Sequence, residues 1–159
     1  MDNMLVFHPP HFVIEPQTSF PDAWEVFCCK ALNLDNKTKV IRQRKAPENG
    51  IDLYWDEEQI AYQCKSVEDA SGEFKVDKAE KSLRAAMEER AKTPWKKYVI
   101  CSNVPLTGDS ENKLKAICPD VQFLTPSFWE PVCREHWKDL KDRFRLIPRN
   151  TGAVERSGT

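Results

Sequence analysis

Asp52, Gln63 and Lys65 are the side chains whose types and spacing suggest chemistry on a metal ion and a phosphate. Asp52 belongs to the run Gly50-Ile51-Asp52-Leu53-Tyr54-Trp55, and the other two to Ile60-Ala61-Tyr62-Gln63-Cys64-Lys65. A hard divalent cation such as Mg2+ is held by one or two carboxylates together with neutral oxygens and waters, so Asp52 and the amide oxygen of Gln63 make a partial ligand set. Two residues on, Lys65 adds an ammonium that can stabilise charge growing on a phosphate, or orient and deprotonate an attacking water. The same Gln-x-Lys spacing also describes the solvated face of an amphipathic strand, and an Asp ahead of a strand also serves turns. The elements that carry these residues therefore matter.

Residues 51–55 and 60–66 are rich in β-branched and aromatic types and flank the polar run Asp56-Glu57-Glu58-Gln59, which predicts an antiparallel hairpin. Strand side chains alternate faces, so Gln63 and Lys65 share one face while Tyr62 and Cys64 take the packing face. Upstream, Phe20, Trp24, Phe27, Cys28 and Ala31 form the apolar stripe of a helix over about 21–32. Glu25 lies about 100° from Trp24, at the edge of that stripe, where a carboxylate can reach inward or stay wet. Glu48 falls in the turn Ala46-Pro47-Glu48-Asn49-Gly50. A strand is expected over 39–44, a helix over 77–91 capped by Asp77, a strand over 95–102, a helix over 108–117 and a strand over 121–124. A last helical region over 126–144 should break near Pro131. This order predicts an α/β fold, a mixed sheet that opens with a β-meander and carries helices on both faces.

Gly-Ile-Asp-Leu, a hydrophobic hairpin partner and then Gln-Cys-Lys resembles the PD-(D/E)xK nuclease superfamily. Within it the pattern is similar to the Mrr-type restriction endonuclease branch, in which Gln replaces the acidic residue of the second half-motif. The sharp motif spans Gly50–Lys65, and the order of elements extends the likeness to about Phe20–Leu124. The resemblance implies a restriction-endonuclease-like fold and a Mg2+-dependent (or Mn2+-dependent) endodeoxyribonuclease acting on DNA. It implies a site of Asp52, Gln63, Lys65 and Glu25, with Asp52, Gln63 and Glu25 holding the metal. It also implies a role in prokaryotic defence against foreign DNA. Two other readings stay open: a catalytically silent module of the same fold used for nucleic-acid binding or oligomerisation, and an RNA-cleaving enzyme, since nothing in the motif reads a base or a 2′-hydroxyl.

With 24 basic and 25 acidic residues the formal net charge is -1, so contact with nucleic acid must come from local clusters. One is Lys37, Lys39, Arg42, Arg44 and Lys45. The other is Lys75, Lys78, Lys81 and Arg84, which drifts slowly around one helix face; Lys78, Lys81 and Arg84 are the candidate phosphate contacts, with a solvated helix face as the plain alternative. Further basic residues lie at Arg143, Arg145 and Arg149. The six cysteines include no Cys-x-x-Cys pair and sit in apolar patterns, which predicts reduced core thiols rather than disulfides or a zinc site. His8, His11 and His136 stand far from the motif, and no Ser-His or Cys-His nucleophile pattern is present. No apolar run approaches a membrane span, and the start lacks a signal peptide, so a cytoplasmic location is expected. Residues 1–147 suit one domain of this length. The aperiodic polar stretch 148–159 reads as a tail or a linker to further C-terminal domains, and assembly into a homo-oligomer stays open.

Overall fold

The computed structural model describes residues 5–9, 12 and 18–148. The tail expected over 148–159 therefore lies outside the described residues apart from Pro148, as do His11 and Arg149. The chain is an α/β protein. Among the described residues it has the elements α1 (Phe20–Asp35), β1 (Arg42–Gln43), β2 (Leu53–Trp55), β3 (Ile60–Lys65), α2 (Val76–Glu89), β4 (Lys97–Ser102), α3 (Gly108–Ile117), β5 (Gln122–Leu124), α4 (Pro126–Glu135) and α5 (Trp137–Phe144). The strands lie in the order β1-β2-β3-β4-β5. β1, β2 and β3 form an antiparallel meander, and β3, β4 and β5 run parallel, with α2 and α3 as the crossovers.

Strict alternation along β3 and β4 sorts the core into two layers. Tyr62, Val99 and Cys101 face a cluster with Trp24, Phe27 and Cys28 of α1, Trp129 of α4 and Leu140 and Phe144 of α5. Ala61, Tyr98 and Ile100 face the other way, onto Ala79, Leu83 and Ala86 of α2 and Leu114 of α3. Helices thus cover both faces of the sheet, which is what parallel strands need to bury both sides. The N-terminal segment joins the first layer: Phe7 and Phe12 pack on Phe27, and Val6 N–H donates to the Ile147 carbonyl at 3.0 Å.

Helix α1 starts where its sequence directs: Ser19 Oγ accepts from the Asp22 amide at 3.3 Å, and Pro21 occupies the first turn. Three boundaries differ from expectation, each for a local reason. β1 is confined to Arg42–Gln43 because the Asn33 side chain of α1 both donates to and accepts from the Ile41 backbone, at 3.0 and 3.1 Å, in place of a ladder partner. Asp77 is not the cap of α2: the helix begins at Val76, and Asp77 lies in its first turn, where its charge complements the helix dipole. Pro131 does not break the final helical region. It sits inside α4 with its ring exposed, and the carbonyl it leaves free belongs to exposed Ser127, which water can satisfy; the break falls at His136 instead.

Candidate functional site

Asp52 stands one residue ahead of β2 and is clamped from three directions. Its amide donates to the Tyr62 carbonyl of β3 at 2.8 Å, and its carbonyl accepts from the Arg44 amide at 2.9 Å. Its side chain turns into the plane of the sheet, where Oδ2 accepts from the Cys64 amide at 2.7 Å. Each bond depends on the loop before it, in which Gly50 adopts φ +82 and the Ile51 amide donates to the Glu48 carbonyl at 3.0 Å. Burial pushes the Asp52 carboxyl above its ordinary range, against the Cys64 amide bond and the Lys65 charge, which hold it down.

Gln63 and Lys65 project toward α2, the side opposite Tyr62 and Cys64. Gln63 is only 1% exposed. The orientation of its amide follows from its partners. The Tyr98 hydroxyl donates its single hydrogen to the Gly50 carbonyl at 2.6 Å, so it can only accept from Gln63 Nε2. Nε2 also faces the Ala79 carbonyl of α2 at 3.5 Å, another acceptor. Oε1 therefore points the other way and is buried without a partner among the described residues. An oriented amide oxygen that is buried and unpaired is costly unless a cation or a bound water completes it.

Lys65, half-buried, loses basicity first through burial; Lys78 of α2 adds to this, and Asp52 opposes it. An open groove runs from it, lined by Lys65, Ser66, Val67, Phe74, Lys75 and Lys78 together with Glu68, Asp69 and Gly72. Lys75, Lys78, Lys81 and Arg84 are all exposed, so the basic face of α2 continues that groove. In the other basic cluster Arg44 is engaged, pairing with Glu89 at 3.5 Å and donating to the Glu48 carbonyl, while Lys37, Lys39, Arg42 and Lys45 are exposed.

Glu25 approaches from α1, on the other face of the sheet. Its Oε1 accepts from Gln43 Nε2 of β1 at 3.1 Å. Burial raises its pKa to about 7, with the charges of Asp52, Glu48 and Asp22 adding to the shift and the Gln43 bond opposing it. The four predicted residues thus surround one end of β3: Asp52 in the sheet plane, Glu25 on the α1 side, Gln63 and Lys65 on the α2 side. Glu25 is tied to the group through Gln43 and the field of Asp52, rather than by direct contact with Gln63 or Lys65. Comparison with protein-family models, with curated proteins and with solved structures returns no match for this chain.

Two features of the site were not legible as such in the sequence. Tyr98, the residue that fixes the Gln63 amide, reads as one more strand aromatic. The cysteines, expected to be reduced core thiols, are all free, and Cys28, Cys64 and Cys101 converge with their sulfurs within 4.8 Å of one another. Burial pushes the Cys28 and Cys64 thiols up.

The network around Gln63 makes a direct prediction. Gln63→Glu replaces two donated hydrogens with a carboxylate facing the Ala79 carbonyl and a hydroxyl already committed to Gly50. In the absence of divalent metal it should lower stability by about 2–4 kcal/mol. Chemical denaturation with and without Mg2+ checks this, and a metal-free midpoint equal to that of the parent chain would show that the amide is not oriented as described.

Proposed function

We propose that this chain is a metal-dependent nuclease of the PD-(D/E)xK type, with the Gln-x-Lys half-motif of the Mrr-like branch, that hydrolyses phosphodiester bonds in DNA. The observation that carries the reading is the buried Oε1 of Gln63, without a partner among the described residues, at the same strand end as the carboxylate of Asp52, with Glu25 and Lys65 flanking them. These are hard oxygen donors with a built-in acceptor left over, which fits Mg2+ or Mn2+. Asp52, Gln63 and Glu25 would hold the ion, which supplies Lewis-acid charge stabilisation at the phosphate.

The chain's own groups do the rest. Lys65, poorly hydrated beside Asp52, presents its ammonium to the charge that grows on the scissile phosphate. The groove toward Lys75 and Lys78, and the exposed run to Lys81 and Arg84, offers a phosphate track that carries no sequence information. The wider expectation of the resemblance, an effector in defence against foreign DNA, belongs to this same proposal, as does a cytoplasmic location. No helix among the described residues is long and apolar enough to cross a membrane.

Parallel digests of duplex DNA, single-stranded DNA and RNA, each with Mg2+ and with chelator, test the reading. Metal-dependent cutting of DNA is the expected result. Cutting confined to RNA would move the chain to the RNA-cleaving alternative, and binding without cutting to the silent module. Changing Lys78, Lys81 and Arg84 together to Ala should make the dependence of log K on log salt shallower by about 0.9 for each phosphate no longer neutralised, at unchanged sequence preference. An unaltered slope would make that helix face merely solvated.

Glu25 supplies a pH signature. Its folded pKa of about 7 stands above the ordinary 4.5, so the stability it contributes to the metal-free protein is fully present below 4.5 and is lost as pH rises through about 7. A cation bound beside Glu25 competes with that proton. The rise in Tm produced by saturating Mg2+ should therefore be larger at about pH 8 than at about pH 6, and Glu25→Gln should flatten the difference. A Mg2+ effect on Tm that is independent of pH in the parent chain would remove Glu25 from the metal site.

A further inference from the structure

We propose that Cys28, Cys64 and Cys101 form a second metal site, chemically distinct from the carboxylate site, which takes a soft, thiophilic, filled-shell cation of the Zn2+ or Cu(I) kind.

The three thiols come from three elements that tertiary structure alone brings together. Cys64 of β3 and Cys101 of β4 are partners in the parallel register, and both point to the α1 side of the sheet. Cys28 descends onto them from α1. Their sulfurs lie within 4.8 Å of one another. Three thiolates around one ion at the usual metal–sulfur distance of about 2.3 Å stand about 3.8–4.0 Å apart, so closing the site needs only small side-chain adjustments. Neither a carboxylate nor an imidazole belongs to the set, which disfavours Mg2+ and Ca2+ and favours thiolate-seeking ions.

The neighbouring Cys29 is not a fourth member, because its thiol donates to the Ile41 carbonyl at 3.3 Å. Cys28 and Cys101 are fully buried, and Cys64 is partly buried. Charge and coordination favour different ions. A divalent ion leaves one negative charge on three buried thiolates and a monovalent ion leaves two, while Cu(I) is content with three ligands and structural Zn2+ ordinarily wants four. In either case binding ties α1, β3 and β4 together at the residue whose amide holds Asp52.

The test uses the full chain, reduced and free of oxygen, titrated separately with Zn2+ and with Cu(I) against a chromophoric chelator for each. The expected result is one equivalent of at least one ion, with affinity reduced by at least about tenfold in Cys28→Ser and in Cys101→Ser. Asp52→Asn and Cys118→Ser should leave binding unchanged, which separates this site from the carboxylate site and from the proposed nuclease function. If the Ser variants fail to fold, pulsed alkylation of the unaltered chain with peptide mapping decides: the ion should protect Cys28, Cys64 and Cys101 and leave Cys118 and Cys133 as reactive as before. Failure of both ions to bind in competition with the chelator, protection of a different set of thiols, or loss of binding in Asp52→Asn would overturn the proposal.

Discussion

Asp52→Asn should reduce Mg2+-dependent cleavage by at least about a thousandfold while leaving the fold intact. The two effects separate because the carboxylate has two jobs. Its structural job is to accept the Cys64 amide at 2.7 Å, which an asparagine carbonyl oxygen can also do. Its proposed chemical job needs the second oxygen and the charge, and in the variant that position carries an amide NH2, a donor turned toward the Lys65 ammonium and any bound cation. Circular dichroism and a thermal midpoint close to those of the parent, together with abolished nicking of supercoiled DNA, are the expected pair of results. Undiminished nicking would take Asp52 out of the site.

Gly50→Ala should have the largest effect on stability. At φ +82 a side chain is already strained, and a Cβ there would stand 2.0 Å from the Ser82 carbonyl oxygen and 2.9 Å from the Ala86 amide nitrogen. Both atoms belong to the backbone of α2, so neither can swing aside as a side chain tip could. The helix would have to move off the loop, breaking the Tyr98 bond to the Gly50 carbonyl as it went. A loss of about 3 kcal/mol or more is expected, read as a fall in Tm of roughly 6–12 °C. Gly108 is the control, because no heavy atom lies within 4 Å of a Cβ built there and it opens α3; Gly108→Ala should change stability by less than about 0.5 kcal/mol. Equal, small effects at both glycines would mean that the loop does not rest on α2 as described.

The features legible in the sequence were those set by short-range periodicity. Alternation along Ile60–Lys65 put Gln63 and Lys65 on one face and Tyr62 and Cys64 on the other, and the structure has them so. The apolar stripe of α1 and the meander followed from the same kind of pattern, and α3 falls where its pattern put it. What escaped depends on partners distant in sequence. Asn33 takes the Ile41 backbone out of β1, which no strand pattern reveals. Exposure of Ser127 decides whether Pro131 is tolerated, and exposure is a tertiary property. Tyr98 acquires its role only because the β3–β4 register and the Gly50 loop bring one acceptor, the Gly50 carbonyl, and one donor, the Gln63 amide, to its hydroxyl. The cysteines show the limit most plainly: spacing tests look for ligands close in sequence, whereas Cys28, Cys64 and Cys101 meet only once α1 docks on two parallel strands.

The change from antiparallel to parallel pairing at β3 also orders how the site comes together as the chain folds. Asp52 reaches the Cys64 amide across the four residues that separate β2 from β3, while Tyr98 reaches Gln63 only after the thirty-one residues between β3 and β4 have been wound through α2. Loop-closure entropy grows with the logarithm of length, so the second closure costs about 2 kcal/mol more than the first before any packing offsets it. The clamp on the Asp52 carboxylate is thus local and inexpensive to form. The half that aims the amide oxygen is complete only when the parallel sheet has closed, and a folding chain in which only the meander has formed does not yet hold Gln63 Oε1 in its final direction.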